Sequence, residues 1–180
     1  MKHFYTTIPG WFDYEKLYTR MVNEHDSGAH FVEIGAAYGK STSYMAVEIA
    51  NSGKVIEFDV VDTWRGSPEH QENGWDRQPS MIDDTAFGKF RNNLKKVKRF
   101  YNPIRLLSVE AAANFEDESL DFVFIDAAHE YKSIKADIEA WLPKIKYEGY
   151  IGGHAYVYNQ SGVVKAVNEK FGDDKEIIDS

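Results

Sequence analysis

The sequence predicts one α/β domain built on a doubly wound parallel sheet, and three observations carry that reading. A short apolar run, His30-Phe31-Val32-Glu33-Ile34, passes through Gly35 straight into a helical stretch, which is a strand, a glycine turn and a helix. Leu120 to Ile125 is apolar on both faces, as in a strand covered on both sides. Strands then alternate with helices along the chain, which requires parallel pairing through right-handed crossovers.

Taken in order, the first helix is expected from about Phe12 to His25. There Tyr14, Leu17, Tyr18, Met21 and Val22 recur at the spacing of one helix face, with Asp13 as its N-cap. The first strand follows at His30–Ile34, and a helix runs through roughly Ser41 to Ala50. Asn51-Ser52-Gly53 turns the chain into a second strand over Val55 to Val61, interrupted by Glu57 and Asp59. From Asp62 to about Pro79 there is no period, only Gly, Pro, charge and two Trp residues, in a loop longer than compact domains usually carry. Helical spacing resumes at Phe87, Phe90, Leu94 and Val97. Ile104 to Leu107 reads as a third strand, Ala111 to Phe115 as a short helix, and Leu120 to Ile125 as the fourth strand. Ile134, Ile138, Trp141 and Leu142 form a helix face that ends before Pro143. Tyr150 to Gly153 reads as a fifth strand, Val163 to Phe171 as a helix, and Glu176 to Ile178 as the start of another strand.

With 180 residues, 43% of them hydrophobic, the chain has the size of a single core. Its net charge of −8 disfavours nucleic acid, since Lys95-Lys96 with nearby Lys98 and Arg99 is the one basic patch. Zero cysteines exclude a disulfide framework, a thiolate zinc site and a cysteine nucleophile, and fit a reducing compartment. The opening MKHFYTTIPGW lacks a signal-peptide pattern, and no run of 18 apolar residues occurs. A cytoplasmic domain that handles a small molecule is expected, with no nucleic-acid or membrane partner and homo-oligomer formation left open.

Ligands of such sheets bind beyond the carboxyl ends of the strands. At the first strand end, Glu33 to Thr42, several readings compete. A phosphate loop needs four residues between its glycine and Gly-Lys-Ser. Gly39-Lys40-Ser41 is present, but five positions before Gly39 stands Ile34. A dinucleotide fingerprint fares no better against G-x-x-x-G. The carboxylate of Glu33 would repel pyrophosphate but suits an amine, a sulfonium or ribose hydroxyls, all of which S-adenosylmethionine carries. The plainer reading leaves Gly35 and Gly39 as a turn and Glu33 as a solvated strand end.

Asp62 closes the second strand 29 positions after Glu33, where an acid accepts hydrogen bonds from ribose; its plainer role is a turn cap. The fourth strand ends in Asp126-Ala127-Ala128-His129 and the fifth in Gly152-Gly153-His154. An Asp and two His are therefore aimed at one crevice, where imidazole serves as a general base or as a ligand to a divalent ion.

With the segments IPGWFDYEKLY, FVEIGAAYGKSTSYMA, VVDTWRGSPEH, FVFIDAAHEYKSIKADIEAWLPK and YIGGHAY in view, the chain resembles the class I S-adenosylmethionine-dependent methyltransferases, from about Ile8 to Val167. The resemblance implies a Rossmann-like sheet of order 3-2-1-4-5-7-6, here short of its last antiparallel strand. It implies a single domain over 1–180, with a helical cover at 1–28 and a lid and acceptor loop at 62–85. It assigns Glu33, Gly35, Gly39 and Ser41 to the methionine end, Asp62 to the ribose, and Ser108 and Glu110 to the adenine side, with Thr63 and Trp64 also among the cofactor-binding residues. Asp126 falls at a metal ligand or a group facing the substrate, with His129 and His154 as catalytic imidazoles and Asp126 and His154 as ligands of a divalent ion such as magnesium. The activity implied is methyl transfer to a hydroxyl of a small polar acceptor, releasing S-adenosylhomocysteine. Trp11, Phe12, Trp64, His70 and Trp75 would cover the acceptor. Family members read His-Asp-Tyr where this chain has His154-Ala155-Tyr156, so a carboxylate is absent there. Two alternatives follow: a cofactor-binding chain impaired by Ala155, and a nucleotide-binding loop at Gly39-Lys40-Ser41.

Overall fold

A computed structural model describes every residue except 68, 69, 75, 76, 158–160, 179 and 180. Trp75 thus lies outside the described residues. Five parallel strands form one sheet: β1 (His30–Ile34), β2 (Glu57–Val61), β3 (Asn102–Ile104), β4 (Leu120–Ile125) and β5 (Ile145–Gly153), in the order β3-β2-β1-β4-β5. Strand order reverses between β1 and β4, which opens a crevice at their carboxyl ends. Among the described residues the sheet has no sixth or seventh strand. Glu176–Ile178 is not a strand; Glu176 instead takes an ion pair from Arg20 at 3.0 Å.

The helices are α1 (Glu15–Glu24), α2 (Lys40–Ser52), α3 (Pro79–Ile82), α4 (Ala86–Asn93), α5 (Ser108–Ala112), α6 (Tyr131–Trp141) and α7 (Ser161–Phe171). Strand alternation sends Phe31, Phe58, Val60, Phe122 and Phe124 into a core with α1, α2 and α4. Val32, Ile34, Val61, Val123 and Ile125 enter a second core with α5, α6 and α7. Both faces are covered, which is why the central strands are nearly continuous apolar runs.

Several boundaries depart from the sequence reading. α1 starts at Glu15 with Tyr14 in the cap position and no side-chain cap; Asp13 is spent elsewhere, on His154. β3 lies at Asn102–Ile104, two residues ahead of the expected strand, because Ile104 pairs with Val61 and its carbonyl already accepts the Asp62 amide at 3.1 Å. α5 likewise starts at Ser108 and ends at Ala112. β5 begins at Ile145, ahead of Tyr150, through a register shift opposite Leu120 and Phe122 that breaks its alternation.

Candidate functional site

Glu33 shares its strand face with Phe31, so its carboxylate points at α1 and α2 rather than at water. It is fully buried, not the solvated strand end of the plainer reading. Tyr18 Oη donates to its Oε1 at 2.9 Å and Thr42 Oγ1 donates to its Oε2, with the Ser41 side chain close by. Burial pushes the carboxyl up to about 7, against the opposing pull of these three hydroxyls.

The glycine turn is held by contacts that only glycine permits at one point. Gly35 has φ +89°, and a Cβ there would lie 1.9 Å from the Asp126 carbonyl oxygen. Strand ends β1 and β4 thereby close to backbone contact. Asp62 Oδ2 accepts the Ala36 and Ala37 amides at 2.8 and 2.9 Å, while Oδ1 accepts the Trp64 amide at 2.6 Å. Asp62 therefore takes the turn-capping role. A carboxylate on these amides is also what a phosphate loop cannot have, and Lys40 Nζ turns away to the Gly10 carbonyl at 2.8 Å. The nucleotide-loop alternative is thereby corrected. α2 begins with no side-chain cap on its first turn, the place where a helix receives a carboxylate.

The β4 and β5 ends do meet. His154 Nδ1 lies 3.4 Å from Asp126 Oδ1, and His129 Nε2 lies 3.8 Å from the same oxygen. Tyr14 Oη donates to Asp126 Oδ2 at 3.1 Å, and its ring lies 4.4 Å from Phe124 and 5.3 Å from His154. On its other side His154 Nε2 meets Asp13 Oδ1 at 3.0 Å. Burial raises the Asp126 carboxyl, but the neighbouring His129 and His154 rings outweigh it and hold the group at about 2. Asp126 in turn raises His154.

This pattern of a buried acid at the β1 end, a capped glycine turn, an acid at the β2 end and an Asp-His cluster at β4 and β5 coincides with a known sequence pattern. The methyltransferase-domain family matches residues 32–156, more than half of the chain. The chain belongs to that family. The uncharacterized protein y4gI of Sinorhizobium fredii is 29% identical over 114 residues, which is 63% of this chain but 12% of that protein. The chain thus spans about an eighth of the length of that relative. The O-methyltransferase NovP superposes with a TM-score of 0.66 at 15% identity, covering 92% of this chain and 74% of NovP. SMU.1697c from Streptococcus mutans, solved in complex with SAH, gives 0.61 at 10% identity over 93% of this chain and 85% of that one. The precorrin-6y C5,15-methyltransferase of Geobacter metallireducens gives 0.57 at 17%, over 86% and 68%. At these identities the likeness is one of fold.

Other assigned residues of the methyltransferase are differently placed. Trp64 is no lid residue: it is fully buried, 4.5 Å from the Phe87 ring and 4.7 Å from Phe90, with φ +55°. Only its backbone amide reaches the site, through Asp62. Thr63 Oγ1 accepts the Arg65 amide and His70 Nδ1 that of Ser67, so both brace the loop. Ser108 Oγ accepts Trp141 Nε1 at 2.9 Å, and Glu110 is exposed. Trp11 is 87% exposed. The 62–85 segment frames an open recess of ≈ 470 Å³ lined by Arg65, Gly66, Gln71, Met81, Ile82 and Asp84; the Asp126 cluster does not line it.

For a divalent ion, Asp126, His129 and His154 offer one atom each within 4.8 Å of one another. The set does not fit magnesium. Two of its three donors are imidazoles, which suit a transition-metal ion, whereas magnesium is held by oxygen ligands. Sequence reasoning missed Asp13, Tyr14, Tyr18 and Thr42. The i, i+4 spacing of Tyr14 and Tyr18 was the available signal for two of them; nothing marked Asp13.

Proposed function

We propose that the chain methylates a hydroxyl of a small polar acceptor, and the observation that carries this is the Asp126-His129-His154 cluster at the crevice where β4 and β5 end beside the glycine turn. Glu33 meets the ammonium of S-adenosylmethionine and the first turn of α2, with Gly39 and Ser41, receives its carboxylate. Asp62 adds ribose hydroxyls to the amides it already holds, and the loop after β3, with Ser108 and Glu110, faces the adenine. In the transfer the acceptor oxygen attacks the methyl carbon, the C–S bond breaks with its electron pair on sulfur, and neutral S-adenosylhomocysteine leaves. The protein's part is to align oxygen, carbon and sulfur. The hydroxyl proton goes to His129, the imidazole that stands farther from Asp126, at 3.8 Å against 3.4 Å.

Calorimetric titration with S-adenosylmethionine tests this: Glu33→Ala and Asp62→Ala should each weaken binding about tenfold or more. Retained affinity in both would place the cofactor elsewhere. His129→Ala should then lose transfer to hydroxyl-bearing acceptors while keeping cofactor affinity.

A second reading, a chain that binds cofactor without turnover, is favoured by Ala155, which holds φ +63° at the site with no side chain able to take a proton. Transfer to any acceptor by the unaltered chain overturns it.

A further inference from the structure

Positive charge is gathered on one stretch of the surface. Residues 89–99 hold Lys89, Arg91, Lys95, Lys96, Lys98 and Arg99 and no acid, in a chain whose net charge is −8. α4 and the turns that follow it give this stretch an inside and an outside: Phe90, Leu94 and Val97 are fully buried, and all six cations are exposed. The ion pairs of Lys and Arg among the described residues leave all six out. The acids just ahead of the stretch are already held, Asp83 by Thr85, and Asp84 by Arg105 and, at 3.9 Å, by Arg65. The stretch is also anchored. Asn93 Nδ2 donates to the Tyr38 carbonyl at 3.0 Å, and Leu94 packs so close to the glycine turn that a Cβ on Gly39 would lie 2.6 Å from its Cδ1. The Leu94, Val97 and Phe100 amides donate to the Phe90, Leu94 and Val97 carbonyls at 3.1, 2.9 and 2.9 Å. The cations therefore stand on a fixed base, which leaves little backbone to order when an anion docks.

What such a face binds follows from its composition. Between Lys89 and Arg99 no large apolar side chain is exposed, whereas a protein interface needs an apolar or aromatic centre and is depleted in Lys. Four of the six cations are Lys, compact point charges suited to phosphate. The nearby rings, Phe4 and Phe87, are half-buried and already carry Lys96 and Arg91 at 5.4 and 5.9 Å, so the unstacked bases of a single strand find no platform. Asn92 is exposed among the cations, an uncharged donor and acceptor of the kind that meets a ribose 2′-hydroxyl. We propose that this face docks the backbone of double-stranded RNA, gripping its phosphates without regard to base sequence. The net charge of −8 weakens attraction at long range, but within a Debye length of about 10 Å the six cations set the local field. This surface stands apart from the Asp126 cluster and does not depend on the methyl-transfer reading.

The test is fluorescence anisotropy of the full chain with a labelled RNA duplex of about 20 base pairs. Affinity should fall about fortyfold or more between about 50 and 200 mM NaCl, as expected for three or more phosphate contacts, and two unrelated duplex sequences should bind within about twofold of each other. The triple variant Lys95→Gln, Lys96→Gln, Lys98→Gln should lose about tenfold or more in affinity and flatten the salt slope by about two, while keeping its melting temperature and its affinity for S-adenosylmethionine. A control pair on α7, Lys165→Gln with Lys170→Gln, should stay within about twofold. Asn92→Ala should remove the preference for RNA over a DNA duplex of the same sequence. No binding of the RNA duplex up to about 100 μM at the lower salt overturns the proposal. So does an equal loss in the α7 control, or DNA bound as tightly as RNA by the unaltered chain. Tighter binding of phosphatidylserine vesicles or of a polyglutamate peptide through the same three lysines would also overturn it, in favour of a membrane or an acidic protein. Failure to bind S-adenosylmethionine would refute the transferase function instead, and the duplex titration would still decide this surface.

Discussion

Glu33 shows how one residue sets fold stability against ligand binding. Its folded carboxyl sits at about 7 against an ordinary 4.5, so the folded chain keeps a proton that the unfolded chain has released. Stability from this group is full below about pH 4.5 and is lost as pH rises through 7, a loss on the order of 3 kcal/mol for a fully buried group. His154, also raised, acts in the same direction: its contribution is present below its ordinary range near 6.5 and fades as pH rises through its folded value. Asp126 acts oppositely, contributing above about 3.8 and losing that as pH falls through 2. The melting temperature of the cofactor-free chain should therefore drop between about pH 5 and pH 8. Glu33→Gln should flatten that drop and at the same time lose cofactor affinity. A melting temperature that rises over the same range in the unaltered chain would refute the buried, protonated carboxyl.

At the scale of elements, the turns decide more than the helices. Gly35→Ala forces a Cβ onto the Asp126 backbone at a positive φ, and should cost at least about 3 kcal/mol in denaturant unfolding. Trp64→Phe keeps an aromatic ring against Phe87 and Phe90, so cofactor affinity should stay within about twofold. A larger loss would restore Trp64 to the site. These two residues also mark what the sequence could disclose. β4 and the Gly35 turn were legible because an apolar run and a glycine report local geometry. Trp64 was misread because its polar neighbours describe a loop, whereas its burial comes from α4 more than twenty residues on. β5 was shortened because the register shift near Lys146 to Gly149 destroys period 2, and Asp13 was taken for a helix cap because its partner lies at the far end of the chain.

At the scale of the molecule, β1 is the axis: it is bonded to β2 on one side and β4 on the other, and both cores pack on it. Backbone amides in the β1 and β4 pairing, Val32 and Phe124 among them, should exchange with deuterium only on global unfolding. Fast exchange in β1 would mean the two cores open separately. The charge is as unevenly distributed as the packing. Residues 85–109 hold seven Lys and Arg and no acid, so the rest of the chain carries −15. The strand-end carboxylates Glu33, Asp62 and Asp126 belong to that acidic remainder, which favours a cationic cofactor over a phosphate.

The reversal of strand order between β1 and β4 also has a consequence in time. On the ribosome, β1 is complete 86 positions before β4 begins, roughly 4–17 s at ordinary synthesis rates. Through that interval β2 and β3 can pair, but one side of the central strand carries bare amides and carbonyls, and Phe31 and Glu33 lie against a half-built core. The nascent chain is then most open to wrong partners, and its escape from aggregation depends on how fast residues 62–119 are made.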